Sequence, residues 1–278
     1  MIIDAHQHFW KYSPQKHAWI RQEMSLLKRD FLPDDLQKIF AKNQVAACVA
    51  VQAEQSEEET GFLLQLADQY NYIKGVVGWV DLKAENLLQR LDYYQDIEKL
   101  KGFRHQVQDE PDPRFMLHPA FQNGLRVLEK TRFTFDLLVY PVQLDAALQT
   151  VRNFPRLSFV LDHMAKPDIK SGSINNWSTS IKQIAEESNV YCKISGMVTE
   201  ASWKDWKAKD FSPYLDVVFQ AFGPDRLMFG SDWPVCLLAA DYQAVLDIVI
   251  QYTRNLPEED KQKIFYKNAQ KFYKLTQP

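Results

Sequence analysis

The chain has 278 residues, 46% of them hydrophobic, and a formal net charge of −3. That length suits one α/β barrel, which typically takes about 250 residues, so a single domain over residues 1–278 is expected. No block of like charges supports nucleic-acid binding, and no apolar run approaches the roughly 18 residues of a membrane span.

Residues 2–6 form the first apolar strand pattern, and the chain enters it directly, so no targeting segment is expected. Residues two apart on a strand share a face. His6 and His8 therefore project together from its end, with Asp4 expected one step below them on that face. The connection from Phe9 to Pro33 is the longest, and carries Trp10, Tyr12, His17, Trp19 and Arg21. It reads as a loop over the mouth of the fold. Pro33-Asp34-Asp35 opens a helix. A strand at 45–52 ends in Gln52, with Glu54 just beyond. Residues 57–70 then have helical spacing and begin with acids that suit a helix N-terminus.

Strands follow at 73–80, 100–105, 133–139, 157–163, 190–195 and 227–231. Helical stretches are read at 86–94, 119–130, from Pro141 onward, and at 174–188, 213–222 and 242–252. A terminal helix is expected over 258–275. Eight alternating units close naturally as a (β/α)8 barrel with right-handed crossovers. A doubly wound open sheet fits less well, because no glycine-rich phosphate loop follows any strand and the chain has only 9 glycines.

In such a barrel the chemistry sits at the C-terminal strand ends. Those ends supply His6, His8, Gln52, Glu54, Arg104, His105, Asp136, Asp162, His163, Lys166, Lys193, Ser195, Glu200, Ser231 and Asp232. If the first and last strands are neighbours, Asp232 arrives beside His6 and His8. Two imidazoles and a carboxylate around one point can hold a metal or activate a water. Arg104 and Lys166 have a structural alternative, pairing with Asp136 and Glu200 in a charge network, and Lys193 has one as a barrel lysine neutralising a carboxylate. The odd set Cys48, Cys192 and Cys236 does not suggest a disulfide framework, and a reducing cytoplasm is the expected setting.

Six segments together carry a resemblance: DAHQHFW at the N-terminus, GVVGWVDL at 75–82, KGFRH at 101–105, FVLDHMAKP at 159–167, CKISGMVTEA at 192–201 and RLMFGSDWPV at 226–235. In this order the chain resembles the amidohydrolase superfamily, in its amidohydrolase 2 branch. Within that branch it is similar to sugar-lactone hydrolases acting on L-fuconolactone and L-rhamnonolactone. The resemblance implies a carboxylic ester hydrolase that opens a sugar lactone to the aldonic acid, with no nucleic-acid or membrane partner. Asp232 would activate water, with His6, His8, Arg104 and His163 as the other catalytic residues. Trp10, Gln52, His105, Lys166, Lys193, Glu200 and Trp233 would contact the substrate. Superfamily members with a full metal centre usually carry a histidine on the fifth strand, and here that strand reads FTFDLLV. At most one divalent metal, zinc, on His6, His8 and Asp232 is therefore expected, with metal-free catalysis an equal alternative. The competing functions are hydrolysis of an aromatic lactone (pyrone dicarboxylate or a muconolactone), metal-dependent non-oxidative decarboxylation, and an inactive binding barrel. The last would keep the aromatic rim but have no need of Asp232.

Overall fold

In the computed structural model, which describes residues 1–276, eight parallel strands run in the order β1 to β8 around a nearly closed barrel. They are β1 (Ile2–Gln7), β2 (Val45–Val51), β3 (Ile73–Gly78), β4 (Leu100–His105), β5 (Thr134–Leu137), β6 (Phe159–Leu161), β7 (Val190–Ile194) and β8 (Leu227–Phe229). Between them run α1 (Pro33–Asn43), α2 (Glu57–Gln69), α3 (Leu87–Tyr94), α4 (Pro119–Leu128), α5 (Leu144–Asn153), α6 (Asn175–Ala185), the single turn α7 (Met197–Glu200) and α8 (Ala208–Phe222). α9 (Tyr242–Thr253) follows β8. Among the described residues no helix is long and apolar enough to cross a membrane.

The expected elements are present, but β6 is shorter than the expected 157–163, with Asp162 and His163 in a 3-10 turn, and two helices differ. α8 begins ahead of the expected 213, because Asp210 accepts from the Lys207 amide at 2.8 Å and caps the helix there. The expected terminal helix is three pieces: α10 (Glu258–Gln262), a π-helical turn over Lys263–Lys267, and α11 (Asn268–Phe272).

The barrel interior is filled by Ile3, Ala5, Ala47, Val49, Val51, Val77, Val160 and Met228. Phe272, Tyr273 and Leu275 pack onto this cluster and close the lower end. A second, larger apolar layer lies between strands and helices. This arrangement leaves the upper end, where the strands terminate, as the place for polar groups.

β1 and β8 meet at a seam. The His8 amide donates to the Trp233 carbonyl at 2.7 Å, and the Asp232 amide to the His6 carbonyl at 2.8 Å. Asp4 locks the seam below these bonds. Its carboxylate accepts from the Ser231 amide at 2.9 Å, the Ser231 hydroxyl at 2.6 Å and the Tyr242 hydroxyl of α9 at 3.0 Å. Asp4 thus faces the helix layer, not the side shared by His6 and His8. A register irregularity between Asp4 and Gln7 breaks the alternation that placed it with them.

Candidate active site

At the upper mouth lies a cavity of about 450 Å³ whose lining includes His8, Arg104, His163, Lys166, Glu200 and Asp232. His6 lies beneath, without exposure. His8 donates from Nδ1 to the Val51 carbonyl at 2.7 Å, so its Nε2 lone pair faces the site. Arg104 Nη1 donates to His6 Nε2 at 3.3 Å, and His6 Nδ1 lies 3.1 Å from Lys193 Nζ and 3.2 Å from Asp162 Oδ1. The two Nε2 atoms are 3.2 Å apart. Asp232 Oδ1 stands 3.3 Å from that of His8 and 3.9 Å from that of His6. Three acceptors therefore converge on one point, a donor set that fits one divalent cation. His163 Nε2 lies 3.9 Å from Asp232 Oδ1, and its Nδ1 is 2.8 Å from the Ser195 hydroxyl.

Charge beneath the site is balanced. Lys193 contacts Asp136 at 2.5 Å and Asp162 at 2.9 Å, and Arg104 reaches Asp162 at 3.1 Å. All four groups are buried, so each cation offsets a carboxylate that burial alone would neutralise. Burial raises the Asp162 carboxyl, but Lys193, His6 and Arg104 outweigh it and hold Asp162 well below the usual range. Burial pushes the His6 and His163 imidazoles well below their ordinary value. Burial also acts to raise Asp232. The neighbouring His163, His8 and Lys166 outweigh it and hold Asp232 below the usual carboxylate range, so Asp232 stays ionised.

Local backbone geometry aims these groups. His163, Met164, Ala165 and Lys166 have φ of 52°, 53°, 56° and 48°, and Asp232 has φ of 59°. Runs of non-glycine residues in the left-handed region are costly and cluster where function requires them. Two glycines give the imidazoles room. A Cβ on Gly196 would lie 2.7 Å from the His163 ring, and one on Gly230 would lie 2.7 Å from His6 Cβ.

Five residues read as substrate contacts do not line the cavity. Arg104 points inward, so strand alternation turns the next residue, His105, away, where it meets Glu110 at 2.6 Å. Lys193 lies in the floor. Gln52 donates to the Arg104 carbonyl at 3.1 Å and accepts from the Arg104 guanidinium at its own carbonyl. Trp10 donates to the Arg29 carbonyl at 2.9 Å and packs behind His8. Trp233 is buried against Phe9 and Phe31. The charge network pairs Lys166 with Glu200 at 3.7 Å and Lys193 with the Asp136 carboxylate, as expected, but Arg104 pairs with Asp162 and not with Asp136. Trp19 and Arg21 of the first loop do line the cavity. The sequence reading missed Gln106, Gln108, Asp109, Tyr140 and Trp203. Gln106 continues the inward alternation of Arg104, a signal present in the sequence, whereas Gln108 lies on a 3-10 turn over Val107–Asp109 that strand alternation does not reach. Trp203 lies on an irregular loop and had none.

Residues 3–275 match the amidohydrolase family. Over 287 aligned residues the chain is 39% identical to an L-fucono-1,5-lactonase of Burkholderia multivorans, covering 99% of this chain and 97% of the relative. An L-fucono-1,5-lactonase of Burkholderia ambifaria is 36% identical over 99% of this chain and 96% of its own length. A crystal structure of a Burkholderia multivorans amidohydrolase with bound zinc superposes with a TM-score of 0.95 at 38% identity, covering 99% of this chain and all of that one. With its eight-stranded barrel and its imidazole–carboxylate cluster at the strand ends, the chain belongs to the amidohydrolase family.

Proposed function

We propose that this protein is a hydrolase that opens a sugar lactone of the L-fuconolactone type to its aldonic acid. The observation that carries the reading is the full-length similarity to two L-fucono-1,5-lactonases. The position of Asp232, ionised and surrounded by imidazoles in the cavity, supplies the chemistry.

Asp232 takes a proton from water, and the hydroxide forms a bond to the lactone carbonyl carbon. The carbonyl π pair moves onto oxygen. Arg104 and the His163 Nε2 edge stabilise that oxyanion. As the tetrahedral adduct collapses, the bond from the acyl carbon to the ring oxygen breaks. The ring oxygen receives the proton that Asp232 took from the water, which returns Asp232 to its ionised form. Lys166 and Glu200 hold substrate hydroxyls along the wall. His6, His8 and Asp232 would hold one zinc ion, which supplies Lewis-acid polarisation and a more acidic water when bound.

The opposing carboxylates of Glu200 and Asp109 favour a neutral polyol over a dianion, so an aromatic dicarboxylate lactone is the weaker reading. A cytoplasmic role in carbohydrate catabolism goes with the favoured one, since Cys48, Cys192 and Cys236 are all free thiols. The deciding experiment is a panel of sugar and aromatic lactones, assayed by acid release with and without chelator, alongside elemental analysis. Turnover of deoxyhexonic or pentonic lactones is expected, with no more than one metal equivalent per chain. A higher kcat/KM for pyrone dicarboxylate than for every sugar lactone would overturn the substrate class. Two metal equivalents would overturn the ligand set.

A further inference from the structure

His105 sits at the end of β4, outside the cavity, yet its ring is fixed on every side. The Trp79 indole Nε1 donates to His105 Nδ1 at 3.4 Å. An indole N–H only donates, so Nδ1 holds the lone pair and Nε2 carries the proton. That proton is directed at Glu110 Oε1, 2.6 Å away. The Phe115 ring stacks on the imidazole with centroids 5.0 Å apart and planes 13° from parallel.

Between the two ends of this hydrogen bond lie Gln106, Val107, Gln108 and Asp109. Gln106, Gln108 and Asp109 line the cavity. Their backbone is tied down on one side by the Gln106 amide to Gln55 Oε1 at 2.8 Å and by the Gln108 amide to the Leu138 carbonyl at 3.0 Å. On the other side, the His105–Glu110 contact closes the segment end to end.

We propose that His105 and Glu110 form a clasp that presents Gln106, Gln108 and Asp109 to the non-reacting hydroxyls of the substrate. Both are positioning residues for recognition, and neither touches a reacting atom. The inference rests on the sugar-lactone reading. A charge-assisted hydrogen bond to a carboxylate is among the stronger side-chain links. Without it the segment samples more conformers, and the substrate must order them on binding. The cost falls on binding and not on the chemical step, so it should appear in KM and leave kcat in place.

The test uses Glu110→Ala, His105→Phe and the double variant on the best sugar lactone, with amide hydrogen exchange across residues 106–109. His105→Phe keeps an aromatic ring against Phe115 and removes the donor. Each single variant is expected to raise KM by about tenfold, with kcat within about twofold, from the added ordering cost. The double should be no worse than either single, because both remove one link. Exchange at 106–109 should quicken, and Glu110→Gln, which keeps an acceptor, should recover most of the wild-type KM. An unchanged KM in Glu110→Ala, a fall in kcat alone, or effects that multiply in the double would overturn the clasp. If His105→Phe does not fold, Glu110→Ala against Glu110→Gln decides the matter. Wild-type protein inert toward every lactone would instead overturn the lactone reading. The clasp then stands or falls on the exchange rates, and unchanged exchange in Glu110→Ala rejects it.

Discussion

Asp232 is the residue on which the proposed chemistry turns. It is buried, yet it titrates below the usual carboxylate range because His163, His8 and Lys166 offset the burial. An amide at this position keeps the shape and loses the base. Asp232→Asn is therefore expected to lower kcat by ~10² or more while the unfolding midpoint stays close to wild type. A variant with near wild-type kcat would remove Asp232 from the mechanism. His163 and Lys166 reach the cavity only through the left-handed run that holds them. Such a run is tolerated because its surroundings over-determine it: Trp177 Nε1 holds the Met164 carbonyl at 2.7 Å, and Met164 and Ala165 are buried.

The start of α2 shows how an element's end can carry a pH response. Ser56 caps the helix by accepting from the Glu59 amide at 3.1 Å. The Glu59 side chain turns back to accept from the Ala53 and Glu54 amides at 3.0 and 2.6 Å. Burial raises its carboxyl from 4.5 to about 8. A carboxyl raised in the folded state binds its proton more tightly there than in the unfolded chain. Its stabilising contribution is thus complete below about 4.5 and is lost as pH rises through about 8. Glu59→Gln does not titrate. Urea unfolding should therefore show the variant gaining on wild type between pH 5 and pH 8, by on the order of a few kcal/mol. A stability difference flat across that window would remove the raised carboxyl.

Elements were legible in the sequence where a period was clear. The strands were readable as apolar β-branched runs, and His6, His8, Arg104, His163 and Asp232 as groups at their ends. What failed was facing. Asp4 lies before a register irregularity, which no sequence period announces. His105 follows an inward Arg104, and alternation was available to exclude it. Trp10 and Trp233 read as a rim because aromatic residues suit sugars, yet both are packed beneath the surface. Burial of an aromatic on an irregular loop depends on what covers it, and that is set by distant parts of the chain.

At the scale of the molecule, the barrel is stoppered from below by its own C-terminus. Phe272, Tyr273 and Leu275 seal the interior, and the Tyr273 hydroxyl donates to Asp136 at 2.8 Å, directly under Lys193. Deleting residues 271–278 exposes three large side chains' worth of core. At roughly 1.5–3 kcal/mol for each buried side chain, the loss is expected to exceed about 4 kcal/mol. It also strips a donor from the carboxylate beneath the site. Chemical denaturation of the truncated chain measures the first effect, and an unchanged midpoint would show that the segment does not seal the barrel.

The seam between β1 and β8 has a kinetic consequence. Asp4 lies 227 positions from Ser231 and 238 from Tyr242, so links of very long sequence separation are the ones that assemble His6, His8 and Asp232. Contacts of such high order form late, because the loop they close is entropically expensive until the intervening units have docked. A nascent or partly refolded chain with seven strands in place has its apolar interior but no reactive centre. Recovery of turnover during refolding therefore acts as a clock for the final docking of β8, lagging behind the recovery of helical signal.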